Sequence, residues 1–346
     1  MNKLSQFFYR CSNFYLAISI TLVWQFFLYF VFIDKALEFQ VPNANVQSLG
    51  TAFGFDETKI SDFLTSRSEE KIKYYIELLQ IWDMIFALIY GIIFMVCQCF
   101  PTNGAIEQAF VKLETNLSAA SRADAQVVIF PELFLPGYNR PDLHKKLSQS
   151  KGDEWCDRIA TIANSYKCAL VIGWAEREGD KIFNAATCFG NDGNIIGHYR
   201  KIQRFGSMEH MSFGAGDQYA TFDFFGQIAA ILICYDVEFP QHVRALAEQG
   251  VTLIFVPTAN PAGYEHVSKI LVPARSSEMA VTIAYANYCG SENGLKFAGN
   301  SVIVGPDGKS LASSGTNETL LITNINNDCD PEFLSLQLTD YTNLSS

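Results

Sequence analysis

Clustered basic residues are missing from this chain. Its 25 Lys and Arg are outnumbered by 36 Asp and Glu, and the net charge of -11 argues against a nucleic-acid partner. The five histidines fall into no HExxH or paired-ligand spacing, so no metal site is expected, and His210, His242 and His266 read as surface or turn residues. There is no CxxC pair. Nine cysteines, odd in number and irregular in spacing, do not make a disulfide framework; Cys97 and Cys99, two apart on a strand, read as packing. Gly308-Lys309-Ser310 resembles the end of a phosphate-binding loop, but Ile303 stands where that loop needs its first glycine. No repeat or low-complexity segment is present. Only 18% of residues are charged, whereas 49% are apolar and 14% aromatic, enough for one large domain or two ordinary ones.

The start of the chain differs from the rest. Residues 14–33 carry no charge over twenty positions rich in Phe, Leu, Ile and Val, which predicts one membrane-spanning helix. Asp34, Lys35 and Ala36 follow without a small-residue cleavage pattern, so a cleaved signal is the weaker reading. Lys3 and Arg10 before the span favour a cytosolic N-terminus. Residues 34–73 read as a polar connector and 74–90 as an amphipathic or membrane-associated helix, leaving 92–99 as a buried strand that ends at Pro101, Asn103 and Gly104. The domain plan is therefore an N-terminal membrane segment over 1–90, a main domain over 91–330 and a tail over 331–346.

Beyond Gly104 strands and helices alternate. A helix with one apolar stripe covers 104–121 and another 155–166; strands are expected at 127–130, 169–174, 183–189 and 195–199, with the hairpin turn Asn191-Asp192-Gly193-Asn194 before the last. Apolar runs at 228–233 and 253–256 flank a helical stretch at 238–249, and a helix around 267–280 precedes strands at 281–288 and 299–304. This is an α/β domain with a large mixed sheet or two sheets.

Three polar residues stand where an apolar strand stops: Glu132 after VVIF, Lys201 after IIGHYR and Cys234 after ILI. Strand ends of such a sheet share one rim, the usual place for a site. A cysteine taken alone is more often a small buried side chain. Here Tyr235, Asp236 and Glu238 follow it at once, a polarity that a packed core position does not require. Glu132 could take the thiol proton, Cys234 attack a carbonyl, and Lys201 with the Tyr235 amide hold the oxyanion. A papain-like pair with His242 or His266 as base stays open, without further support.

Three motifs in order, FPELFLPGY at 130–138, YRKIQRFGSMEHMSFGAGD at 199–217 and ICYDVEFP at 233–240, resemble the nitrilase superfamily of carbon-nitrogen hydrolases. VPTA at 256–259, ARSSEMA, YANYCG and FAGNSVIVGPDG extend the likeness, which runs from about residue 92 to 326. The resemblance implies a four-layer α-β-β-α sandwich and a catalytic set of Glu132, Lys201 and Cys234, with Glu209 as a second, orienting glutamate. Tyr235, Tyr138, Thr258 and Ala259 are its candidates for oxyanion and substrate contacts. It also implies an amidase that needs no metal or organic cofactor, and a homo-oligomer.

Within that family, Cys-Tyr-Asp is similar to the amidase branches rather than the true nitrilases. Where ω-amidase-like members carry arginine two residues after the aspartate, this chain has Glu238, which disfavours a substrate with a free carboxylate. A frequent family histidine is Gln203. The expected activity is hydrolysis of a linear carboxamide to carboxylate and ammonia through a cysteine thioester. Its rivals are acyl transfer to an amine, as in the membrane-bound apolipoprotein N-acyltransferases, and an inactive, membrane-tethered binding protein on the same fold. The expected setting is a membrane-associated protein with its catalytic domain in the cytoplasm, where thiol chemistry works best. Residues 1–90 are outside the resemblance, and Met95 lies near where the family's own chains begin; sequons at Asn116, Asn317 and Asn343 would matter only in a lumenal domain.

Overall fold

Alternation along β1 (Ile92–Gln98) sets up the layers. Phe94 and Val96 point into one apolar cluster, Met95 and Cys97 into another, as a period-two strand buried on both faces requires. The computed structural model describes residues 92–325 and 329–342. The membrane span expected at 14–33, the connector at 34–73, the helix at 74–90 and the Asn343 sequon lie outside them. Among the described residues no helix is long and apolar enough to cross a membrane.

After β1 come α1 (Ile106–Arg122), β2 (Val127–Ile129), α2 (Pro141–Leu147), α3 (Glu154–Tyr166), β3 (Ala169–Glu178), β4 (Lys181–Phe189), β5 (Ile195–Arg200) and α4 (Gly206–Ser212). Next are β6 (Thr221–Phe224), β7 (Gln227–Ile231), a 3₁₀ turn at Cys234–Glu238, α5 (Pro240–Ala247), β8 (Leu253–Pro257), a π-type turn at Val267–Leu271 and α6 (Val272–Met279). The rest is β9 (Thr282–Ala286), the short pair β10 (Ser291–Glu292) and β11 (Leu295–Lys296), β12 (Val302–Val304), β13 (Ser310–Ser313), β14 (Thr319–Ile325) and α7 (Gln337–Asp340).

Two six-stranded sheets result, ordered β14-β1-β2-β3-β4-β5 and β13-β12-β9-β8-β7-β6. Their inner faces meet in one core in which Phe255 of β8 packs against Phe94 at 5.5 Å and Phe224 at 5.4 Å between ring centroids. The outer face of the first sheet is covered by α1 and α3, whose buried stripes include Leu113, Leu117, Trp155 and Ile159. On the second sheet α5 and α6 bury Val243, Leu246 and Val272. Removing each such leucine or valine from water contributes about 1.5–3 kcal/mol, which fastens each helix to its sheet. The layers are thus α-β-β-α.

Several expected boundaries move. The run at 228–233 leaves the ladder at Ile231. The helix expected over 238–249 is α5, shorter at both ends; it begins at Pro240, a residue suited to a first helical position, directly after the 3₁₀ turn at Cys234–Glu238. The strand expected to stop at Trp174 runs on to Glu178, paired with β4. α2, α4, β6, β13 and β14 were not foreseen. β14 pairs antiparallel along all of β1, Ile92 opposite Ile325 and Gln98 opposite Thr319, and so closes the first sheet with residues more than 200 positions away.

Candidate active site

All three strand-end residues come to one rim. Glu132 lies three residues past β2, Lys201 directly after β5 and Cys234 three past β7. The Glu132 corner is tied across to the second sheet, its N–H donating to the Thr258 carbonyl at 3.3 Å. Gly173 of β3 makes that corner possible: a Cβ there would stand 2.5 Å from the Leu133 nitrogen and 2.7 Å from the Glu132 Cα. Only a residue without a side chain allows so close a backbone approach.

At the centre is the Lys201 ammonium, whose side chain is fully buried. It donates to Glu132 Oε1 at 2.6 Å and to Glu209 Oε1 at 2.7 Å, so one of its three N–H bonds remains for another acceptor. Burial disfavours this charge, but the two glutamates outweigh it and carry Lys201 well above its ordinary pKa. The ammonium is permanent at neutral pH.

Burial pushes the Glu132 carboxyl up to about 7, with Lys201 opposing and Glu209 adding to the rise. Asn184 of β4 donates to the same Oε1 at 2.7 Å, while Oε2 has no hydrogen-bond partner among the described residues. A carboxyl that titrates near neutrality, with one free oxygen, suits a group that takes up and returns a proton. Glu209 is held more fully: beside Lys201 it accepts the Tyr138 hydroxyl at 2.8 Å and the Phe205 N–H at 3.0 Å.

Cys234 opens the 3₁₀ turn with φ of 48°, a left-handed conformation that costs a non-glycine residue energy and is found where surroundings enforce it. Asp236 does the enforcing. Its carboxylate accepts the N–H of Ile233 at 3.1 Å, the N–H of Gln203 at 2.7 Å and the Tyr199 hydroxyl at 2.9 Å, which pins the cysteine turn to the loop after Lys201. Burial lifts Asp236 to about 6 against those bonds. Cys234 is 7% exposed, and burial raises the pKa of its thiol well above the ordinary value, reinforced by Glu132 and opposed by Lys201 and the Ala259 backbone. The resting sulfur keeps its proton, so it needs a base at the moment of attack. No hydrogen bond to the Tyr235 N–H is made among the described residues, as is usual for the first amides of a helical turn.

The structure therefore brings together Glu132, Lys201, Glu209 and Cys234. Ala259 reaches the sulfur through its backbone, Thr258 buttresses Glu132, and Tyr138 is engaged with Glu209. Sequence reasoning missed Asn184 and Gly173, which no local pattern marks, and counted Asp236 only as polarity. His242 is taken up by the Tyr219 hydroxyl at 2.6 Å and Gln203 at 3.0 Å, and His266 is exposed beside Tyr264. Neither hydrogen-bonds the thiol. A separate cavity of about 690 Å³, between α1 and β14, contains none of these groups.

The carbon-nitrogen hydrolase family model matches residues 96–331. A hydrolase from the pqqF 5' region of Pseudomonas protegens is 38% identical over 207 residues, 59% of this chain and 73% of that one. The 2-oxoglutaramate amidase of Bacillus subtilis is 31% identical over 199 residues, 57% of this chain and 76% of that one. Among solved structures, an amidase from Nesterenkonia sp. superposes with a TM-score of 0.68 at 32% identity, covering 73% of this chain and 94% of its own. Family model, relatives and fold agree with the buried cysteine site, and the chain belongs to the carbon-nitrogen hydrolases, in the amidase-like branch of the nitrilase superfamily.

Proposed function

We propose that this amidase hydrolyses short linear carboxamides through a thioester on Cys234. The observation that carries the reading is the Lys201 ammonium shared by Glu132 and Glu209 at 2.6 and 2.7 Å beside that thiol. The choice of amide draws on the Nesterenkonia amidase, which has been solved with acrylamide and with butyramide, and with the acetamide moiety of fluoroacetamide added to its active-site cysteine.

In this reading Glu132 Oε2 takes the thiol proton as Sγ bonds to the carbonyl carbon. The oxyanion forms against the remaining Lys201 N–H and the Tyr235 N–H. Glu132 returns the proton to the amide nitrogen, the C–N bond breaks and ammonia leaves a thioester. Glu132 then deprotonates a water that adds to the thioester carbon. The C–S bond breaks, the sulfur regains the proton and the carboxylic acid departs. Glu209, fixed by Tyr138 and Phe205, keeps Lys201 aimed.

The test is ammonia release from butyramide, with wild type and Cys234→Ala side by side. Cys234→Ala is expected to lose at least about a thousandfold in kcat, since the nucleophile acts as part of a unit. Persistent turnover in that variant would overturn the thioester route.

A further inference from the structure

Glu238 closes the turn that Cys234 opens. Four residues at about 2 Å of rise put it on the order of 8 Å from the nucleophile along the turn axis. Its half-buried carboxylate makes no hydrogen bond or ion pair among the described residues. Of the cationic groups near it, Arg275 is bonded elsewhere, donating to the Glu238 backbone carbonyl at 3.0 Å and to the Glu278 carboxylate at 3.0 Å. Burial raises the Glu238 carboxyl against the charges of His266, Lys201 and Arg275, and Glu238 in turn acts on the Tyr285 phenol, so the carboxylate shares the surroundings of the nucleophile.

Tyr285 supplies a second, independent sign. It is fully buried in β9, its hydroxyl has no hydrogen-bond partner among the described residues, and Cys234 and Glu238 are the charges that bear on it most. Thr258 favours the phenolate but directs its own Oγ1 to the Val256 carbonyl at 3.1 Å. A buried phenol and a half-buried carboxylate without hydrogen-bond partners among the described residues are costly unless a ligand completes them. The turn that holds Glu238 also carries Tyr235 and ends at Phe239, and their rings join an aromatic cluster. Tyr235 meets Phe205 at 5.2 Å and Phe239 at 4.9 Å between centroids, and Phe205 meets Tyr264 at 5.7 Å. Ring faces and an unpaired carboxylate together attract a cation.

We propose that Glu238 and Tyr285, walled by Phe205, Tyr235 and Phe239, form a subsite for a primary ammonium, so that the preferred substrate is a short carboxamide with an amino group at its far end. This rests on the amide-hydrolysis reading. One N–H of the ammonium pairs with the Glu238 carboxylate, a second is accepted by the Tyr285 oxygen, and the charge lies against the rings. A carboxylate in the same place meets Glu238 head on and is rejected.

The experiment compares kcat/KM for 4-aminobutanamide, the isosteric neutral pentanamide and the anionic glutaramate, by ammonia release from the full chain. Wild type is expected to favour 4-aminobutanamide over pentanamide by about tenfold or more, the worth of a hydrogen-bonded charge. Glu238→Gln is expected to bring that ratio to about one, Tyr285→Phe to lower it several-fold, and Glu238→Arg to turn the preference toward glutaramate. Equal use of the ammonium and neutral amides by wild type, or a ratio that Glu238→Gln leaves in place, overturns the subsite. Release of ammonia from none of the three sinks hydrolysis itself, which separates the two failures.

Discussion

Because Glu132 has to be ionised to accept the thiol proton, its elevation to about 7 predicts the acid side of the pH profile. With the thiol itself raised above its ordinary range, Glu132 is the group that titrates there. The expected result is kcat/KM for butyramide that climbs as pH rises through about 7 and then levels. Asn184 donates a hydrogen bond that favours the charged carboxylate. Asn184→Ala should therefore move this limb to higher pH and lower kcat by roughly tenfold, the scale of a misplaced general base. A merely structural role for Asn184 would lower activity without moving the limb. Glu132, Lys201 and Cys234 were legible in the sequence because each ends an apolar run. Asn184 was not, since it sits inside the alternation of β4 and becomes a neighbour of Glu132 only when β2, β3 and β4 assemble.

The 3₁₀ turn at Cys234–Glu238 is an element whose shape comes from outside itself. CYDVE has no helical start signal, and the apolar run before it reads straight through Leu232 and Ile233; what stops the strand is Asp236 accepting donors from Ile233, Gln203 and Tyr199. Two of those donors lie more than thirty positions upstream, so no local pattern displays the break. Asp236→Ala leaves three donors without an acceptor. It is expected to cost at least about 2 kcal/mol in chemical denaturation, with loss of activity as the Cys234 backbone relaxes from positive φ. Retained activity in a stably folded Asp236→Ala protein would show that the turn holds its own shape. β14 escaped notice for a related reason: its sequence mixes Thr and Asn with Leu and Ile, and its place is given by β1 at the other end of the domain.

At the scale of the molecule, the two sheets share one core and supply different parts of the site. Glu132 and Lys201 come from the first, Cys234 from the second, so loosening the layer between them should affect stability and chemistry together. Phe255 is fully buried there against Phe94, Phe222 and Phe224. Phe255→Ala is expected to cost about 3–5 kcal/mol. For a domain of this size that is a fall of roughly 10 °C or more in melting temperature, measured by calorimetry, with activity lost in the same transition. A melting temperature within a degree or two of wild type would mean that the sheets do not depend on this contact.

The bare Oε2 of Glu132 has one more consequence. With its companion oxygen tethered by Lys201 and Asn184, the carboxylate offers a single berth, and in the proposed reaction departing ammonia and incoming water must use it in succession. Both halves of the turnover thus run from one side of the trapped acyl group, and the second waits until the first product has vacated its place.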